Sequence, residues 1–145
     1  MSIGEVADLM NMPVSTIRYY DQEGLLTHLK KDMNGNRVFL DADIEQLKII
    51  ECLKKSGMQI KEIKQFMQWT TEGKKTISKR KEMFEHQREV VRARMKELET
   101  TLSVLDYKCW YYEEALRLED EEKVRNIPIS DMPSKVQEGY YCIHE

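Results

Sequence analysis

Cysteine is scarce in this chain, and the three residues present, Cys52, Cys109 and Cys142, are an odd, widely spaced set. That excludes a disulfide scaffold and points to a cytoplasmic protein with free thiols. Three prolines and six glycines in 145 residues exclude collagen-like and loop-dominated architectures. With 34% charged residues the composition instead suits much exposed helix. No apolar run is long enough to span a bilayer, so no membrane contact is expected. Gly4, Glu5 and Asp8 interrupt any apolar region near the start, so no signal peptide is expected either. Histidines stand singly at 28, 86 and 144. Metal ligation needs clustered donors, so neither a metal nor a cofactor is expected. No nucleophile motif or phosphate loop is visible, which argues against an enzyme. A net charge of −3 excludes a generic polyanion binder. Contacts depend on where the charge sits, however. Residues 74–99 hold nine Lys/Arg against five Asp/Glu, and residues 113–145 hold four against nine.

What is present begins with a capping box, Ser2-x-x-Glu5, which predicts a helix from Ile3 to Met10. Its apolar face is Ile3, Val6, Ala7 and Met10. Asn11-Met12-Pro13 makes a turn, with Pro13 in the first turn of the next helix. That second helix turns Val14, Ile17 and Tyr20 inward, leaving Thr16, Arg18 and Tyr19 outward, and Gly24 ends it. Two short helices with such a turn are the way a helix-turn-helix presents side chains to DNA. From Leu25 to Leu40 a hairpin is expected around Asn34-Gly35, with Leu29 and Val38 in its short strands. Lys30, Lys31 and Arg37 at or near its tip make a basic wing. Asp41 or Asp43 caps a third helix carrying Ile44, Leu47, Ile50 and Leu53, and Gly57 stops it. A fourth helix covers Ile60 to Trp69, and the polar break around Gly73 closes this module.

From Thr76 the pattern changes to heptads. One seam is Ile77, Phe84, Val91, Leu98, Leu105 and Tyr112; the other is Lys81, Arg88, Met95, Leu102, Cys109 and Leu116. Together they have the spacing of a coiled coil whose C-terminal half grips best. No Gly or Pro interrupts Lys74 to Ile127, which permits one helix of roughly 60 Å. The prolines in Ile127-Pro128-Ile129 and Met132-Pro133 predict an extended, non-helical strap at the end.

Four pieces then stand in a specific order: IGEVA (3–7), STIRYYDQEGLL (15–26), NGNRVF (34–39) and KKSGMQIKEI (54–63). In these the chain resembles the MerR family of bacterial transcription regulators, at motif level over about the first 70 residues and at architecture level in the long helix. The resemblance implies a mainly α fold: a winged helix-turn-helix with a small β-hairpin wing over residues 1–72, a dimerising coiled-coil helix over 75–122, and a tail over 123–145. It implies a homodimer joined by an antiparallel coil and seated on a palindromic operator of double-stranded DNA. Such a dimer bends and untwists the promoter and so realigns its elements for RNA polymerase. Ser15, Thr16, Arg18 and Tyr19 would contact the operator, and Lys30, Lys31 and Arg37 would hold phosphate. Phe39 stands where many members have Tyr, which removes a hydroxyl.

Glu51-Cys52-Leu53-Lys54-Lys55-Ser56-Gly57-Met58 and Trp69-Thr70-Thr71-Glu72-Gly73 resemble the branch that responds to aldehydes and related electrophiles, in which a cysteine at this position is proposed as sensor. Cys52 therefore carries two readings: a small buried residue on the third helix, or a thiol sensor with Lys48, Lys54 and Lys55 close by in sequence. Tyr107, Trp110 and Tyr111 also carry two: a pocket for a small effector, or packing of the coil's end against the partner subunit, with packing favoured. A rival reading of the whole chain is a coiled-coil adaptor whose winged fold binds protein.

Overall fold

The capping box forms as its spacing requires. In the computed structural model, which describes residues 1–144, Ser2 Oγ accepts from Glu5 N at 3.2 Å and Glu5 Oε1 accepts from Ser2 N at 3.4 Å. Helix α1 runs Ile3–Met10 and closes on Asn11 in the left-handed region, φ 52. Pro13 stands one place earlier than expected, immediately before α2 (Val14–Gln22), where its fixed φ is equally at home. Gly24, φ 81, turns the chain after α2 and lets Leu25 N reach Tyr20 O at 2.9 Å.

The hairpin pairs β1 (Lys30–Lys31) with β2 (Arg37–Val38), Lys30 opposite Val38 and Lys31 opposite Arg37. Leu29 was expected in the strand pair but precedes it and packs on the core. Five residues, 32–36, connect the strands, with Gly35 left-handed at φ 80. Asp32 Oδ1 holds this loop by accepting from Asn34 N and Asn36 N, each at 2.9 Å. At the wing's base, Met1 and Phe39 exchange two bonds, the Met1 amine to Phe39 O at 2.9 Å and Phe39 N to Met1 O at 2.8 Å.

Helices α3 (Asp41–Lys55) and α4 (Ile60–Thr71) follow, then a 3-10 turn over Gly73–Thr76 and the long α5 (Ile77–Leu118). Asp43, buried, accepts from Leu40 N at 2.8 Å and so secures the start of α3. Gly57, φ 100, separates α3 from α4. The chain divides into two compact units, Met1–Arg88 and the part from Glu89 on, with α5 contributing to both. The core of the first unit gathers Val6, Ile17, Tyr20, Leu47, Ile50 and Ile63 from α1 to α4. The start of α5 is tied in by Gln87, which donates to Ser56 O at 2.7 Å.

In the second unit α5 ends at Leu118, short of the uninterrupted stretch its lack of Gly and Pro allows. Glu119 takes φ 56 there, and Asp120 caps α6 (Glu121–Arg125) by accepting from Glu122 N at 2.9 Å. The expected extended strap is not what forms. A 3-10 turn covers Ile129–Asp131 and a helix, α7, covers Ser134–His144. The prolines explain the difference: Pro128 and Pro133 stand immediately before these two elements, where a missing N–H costs nothing. Val136 and Gly139 are buried on one face of α7, and with Val124 and Met132 they complete a small core around Tyr107 and Tyr111. Among the described residues no helix is long and apolar enough to cross a membrane.

Candidate nucleic-acid interface

Helical periodicity splits α2 into two faces. Ile17 and Tyr20 are fully buried, while Ser15, Arg18 and Tyr19 are exposed and Thr16 is half-buried. The buried face is anchored by more than packing. Tyr20 Oη donates to Glu51 Oε1 at 2.6 Å and accepts from Lys54 Nζ at 2.9 Å. Burial first, and the Glu51 bond second, push the Tyr20 hydroxyl far above the usual tyrosine range, so it stays a donor. The outward face is thus presented from a helix fixed to α3.

The wing is fixed to the same helix. Arg37 Nε donates to Asp21 Oδ2 at 2.7 Å, and both side chains are mostly buried. The Arg37 side chain expected to hold phosphate is therefore engaged with α2. Arg18 and the wing residues Asp32, Gly35, Asn36 and Arg37 line one cleft of 510 Å³, together with the start of α1. Lys30 and Lys31 are exposed on β1. Helix face, cleft and wing thus form one surface with hydroxyl, guanidinium, phenol and ammonium donors. Such a set suits phosphate oxygens and base edges.

Asp21 and the Tyr20–Glu51–Lys54 cluster went unnoticed in the sequence. Asp21 and Arg37 lie on different elements, and no local pattern links them. Glu51 and Lys54 do share an i,i+3 face of α3, which was the one available signal.

Cys52 is exposed, which removes the buried reading. It lies in a shallow hollow of 370 Å³ with Met10, Lys48, Glu51 and Lys55. Lys54 is turned away to the Tyr20 hydroxyl and ring. Cys109 and Cys142 are exposed as well. Tyr107 and Tyr111 are buried and Trp110 is half-buried, but what they pack on is this chain's own α6 and α7.

Two family models match the sequence. One, described as MerR HTH family regulatory protein, spans residues 1–69, and the other, described as MerR, DNA binding, spans residues 44–107. An uncharacterized HTH-type transcriptional regulator from Haemophilus influenzae is 38% identical over 124 residues, covering 86% of this chain and 91% of that protein. Among solved structures, HiNmlR, a MerR family regulator lacking the sensor domain and bound to promoter DNA, superposes with a TM-score of 0.75 at 36% identity, over 84% of this chain and 97% of that one. A MerR family transcriptional regulator from Bacillus thuringiensis gives 0.68 at 36% identity, over 75% and 96%.

Proposed function

This chain belongs to the MerR family of DNA-binding transcriptional regulators, and from that premise we propose that it works as a homodimer which distorts promoter DNA. The relatives are regulators and not enzymes. The observation that carries the dimer is an apolar seam left uncovered along α5. Leu98 is 67% exposed, Leu102 57%, Leu105 55% and Leu116 80%. Large apolar side chains at heptad spacing are stable in water when a second helix covers them. Charge supports the antiparallel sense. Residues 77–96 carry seven basic and three acidic residues, and residues 97–118 carry two and five. Antiparallel pairing sets each basic half against an acidic one.

In this reading Ser15, Thr16, Arg18 and Tyr19 of each subunit enter the major groove of one half-site of a palindromic operator. Lys30, Lys31 and Arg37 follow the phosphates beside it. The joined modules hold the duplex bent and untwisted, so contact energy is spent on deformation and promoter elements are realigned for RNA polymerase. The protein acts in the cytoplasm, where the DNA is. Cys52 is the input: an exposed thiol open to attack on a small electrophile.

The test is operator binding by Arg18→Ala, using a palindromic site selected from random DNA. Specific affinity should fall about tenfold or more, the scale of one bidentate base contact. The variant should remain a dimer by light scattering. Unchanged affinity would remove α2 from the interface, and a dimer with no salt-sensitive DNA affinity would favour the protein-binding adaptor. For the input, transcription stimulated by a small aldehyde should lose that stimulation in Cys52→Ser.

A further inference from the structure

The second unit holds a cavity that the DNA-binding activity does not use. It measures 240 Å³ and lies between the end of α5 and the α6–α7 tail. Tyr107 and Trp110 form one side. Beside Tyr107, with centroids 5.6 and 6.1 Å from its ring, Tyr140 and His144 stack on each other, centroids 4.0 Å apart and planes 18° from parallel. Ile127 and Met132 complete the apolar lining. The volume is below the about 300 Å³ at which drug-sized sites begin, so it suits a single ring with one substituent.

The polar groups specify the substituent. Tyr111 Oη is committed to Glu121 Oε1 at 3.1 Å. Tyr107 is 5% exposed and lines the cavity. Burial raises its pKa, so the hydroxyl is kept as a donor. Arg125 lines the same cavity and brings positive charge there, hydrogen-bonded to Tyr111 beside the Glu121 carboxylate. A cationic ligand is disfavoured, because Lys108 Nζ already lies 5.3 Å from the ring centroids of both Tyr107 and Tyr111. An aromatic ring bearing an anion satisfies all of these at once: ring against the Tyr140–His144 stack, anion to Arg125 and the Tyr107 hydroxyl.

We propose that this cavity is a binding site for a small monocyclic aromatic carboxylate. The site is independent of the Cys52 thiol, and its occupancy is measured without DNA, so its failure and that of the regulatory reading are separable. Trp69 and Trp110 are the chain's two tryptophans, so the full-length Trp69→Phe protein reports on Trp110 alone. Titrated with benzoate, its fluorescence should change saturably. Benzyl alcohol and acetate should each bind about tenfold more weakly, since each lacks one half of the recognition. Arg125→Gln should weaken benzoate by a similar factor and leave benzyl alcohol unchanged. Tyr107→Phe, which keeps the ring, should weaken benzoate severalfold. No saturable response to benzoate through the millimolar range, or benzyl alcohol binding as tightly as benzoate, would overturn the proposal.

Discussion

Arg37 serves two neighbours. Its Nε is held by Asp21 on α2, and the residue also lines the wing cleft, where the proposed reading sets it beside phosphate. The two roles separate by substitution. Asp21→Asn keeps Arg37's charge but loosens the wing. It should cost about 1.5–3 kcal/mol of stability, the range for a hydrogen bond to a charged group, and weaken operator binding with the salt dependence unchanged. Arg37→Ala should weaken binding and lower the salt slope by about one, the signature of a lost phosphate contact. Denaturant melts and binding isotherms at several salt concentrations measure both; an Asp21→Asn protein of unchanged stability and affinity would end the anchoring role. The inward and outward faces of α2 were legible in the sequence because a 3.6-residue period divides Ile17 and Tyr20 from Arg18 and Tyr19. The Asp21 anchor was not, because its partner is brought to it by the folding of a hairpin. Nor was the exposure of Cys52, since Leu53 beside it is buried and one position around a helix decides the matter.

At the scale of elements, local signals succeeded where they act locally. The Ser2–Glu5 box, Gly24, Gly57 and the Asn34-Gly35 turn each sit where the chain changes direction, and α1, α2 and the wing follow from them. The tail is helical and not extended because Pro128 and Pro133 stand at the starts of its 3-10 turn and of α7, where proline is tolerated. Its apolar face is also thin: Val136, Gly139 and Tyr140 gain their meaning only once α5 is beside them. Gly139 is the most telling of these. A Cβ there would overlap the Ser103 carbonyl oxygen and lie 2.8 Å from Tyr107 Cβ, so α7 sits backbone to backbone on α5. Neither obstacle is the far end of a flexible side chain. Gly139→Ala should therefore push α7 off its seat, at a cost of about 1–3 kcal/mol or more. Amide exchange over α7 should accelerate and near-ultraviolet dichroism from Tyr107 and Tyr111 should fall. The first unit, which α7 does not build, should keep its protection. Exchange over α7 as slow as in the unsubstituted protein would mean that the two helices can separate by a Cβ at no cost.

At the scale of the whole molecule, the uncovered seam of α5 is the surface on which the proposed dimer would form. Leucines alone would pair in either direction, since a heptad has no polarity of its own. Charge does have polarity, because the basic half of α5 precedes the acidic half. In a parallel pair, like halves lie side by side, and added salt would screen repulsion and tighten the dimer. In an antiparallel pair, opposite halves meet, and added salt screens attraction. Exposed charges of this kind are screened over a Debye length of about 10 Å at 0.1 M salt. The dimer dissociation constant, from sedimentation of dilute protein, should therefore rise as salt is added. The opposite trend would reverse the coil. Leu98→Glu, with its side chain 67% exposed in the single chain and at the middle of the seam, should yield monomers whose first unit remains folded. Those monomers should bind a palindromic operator about 10²-fold or more weakly than the dimer, because the second half-site is no longer held at high effective concentration. They should bind an isolated half-site as the parent does, which keeps the effect on the coil and off the recognition helix.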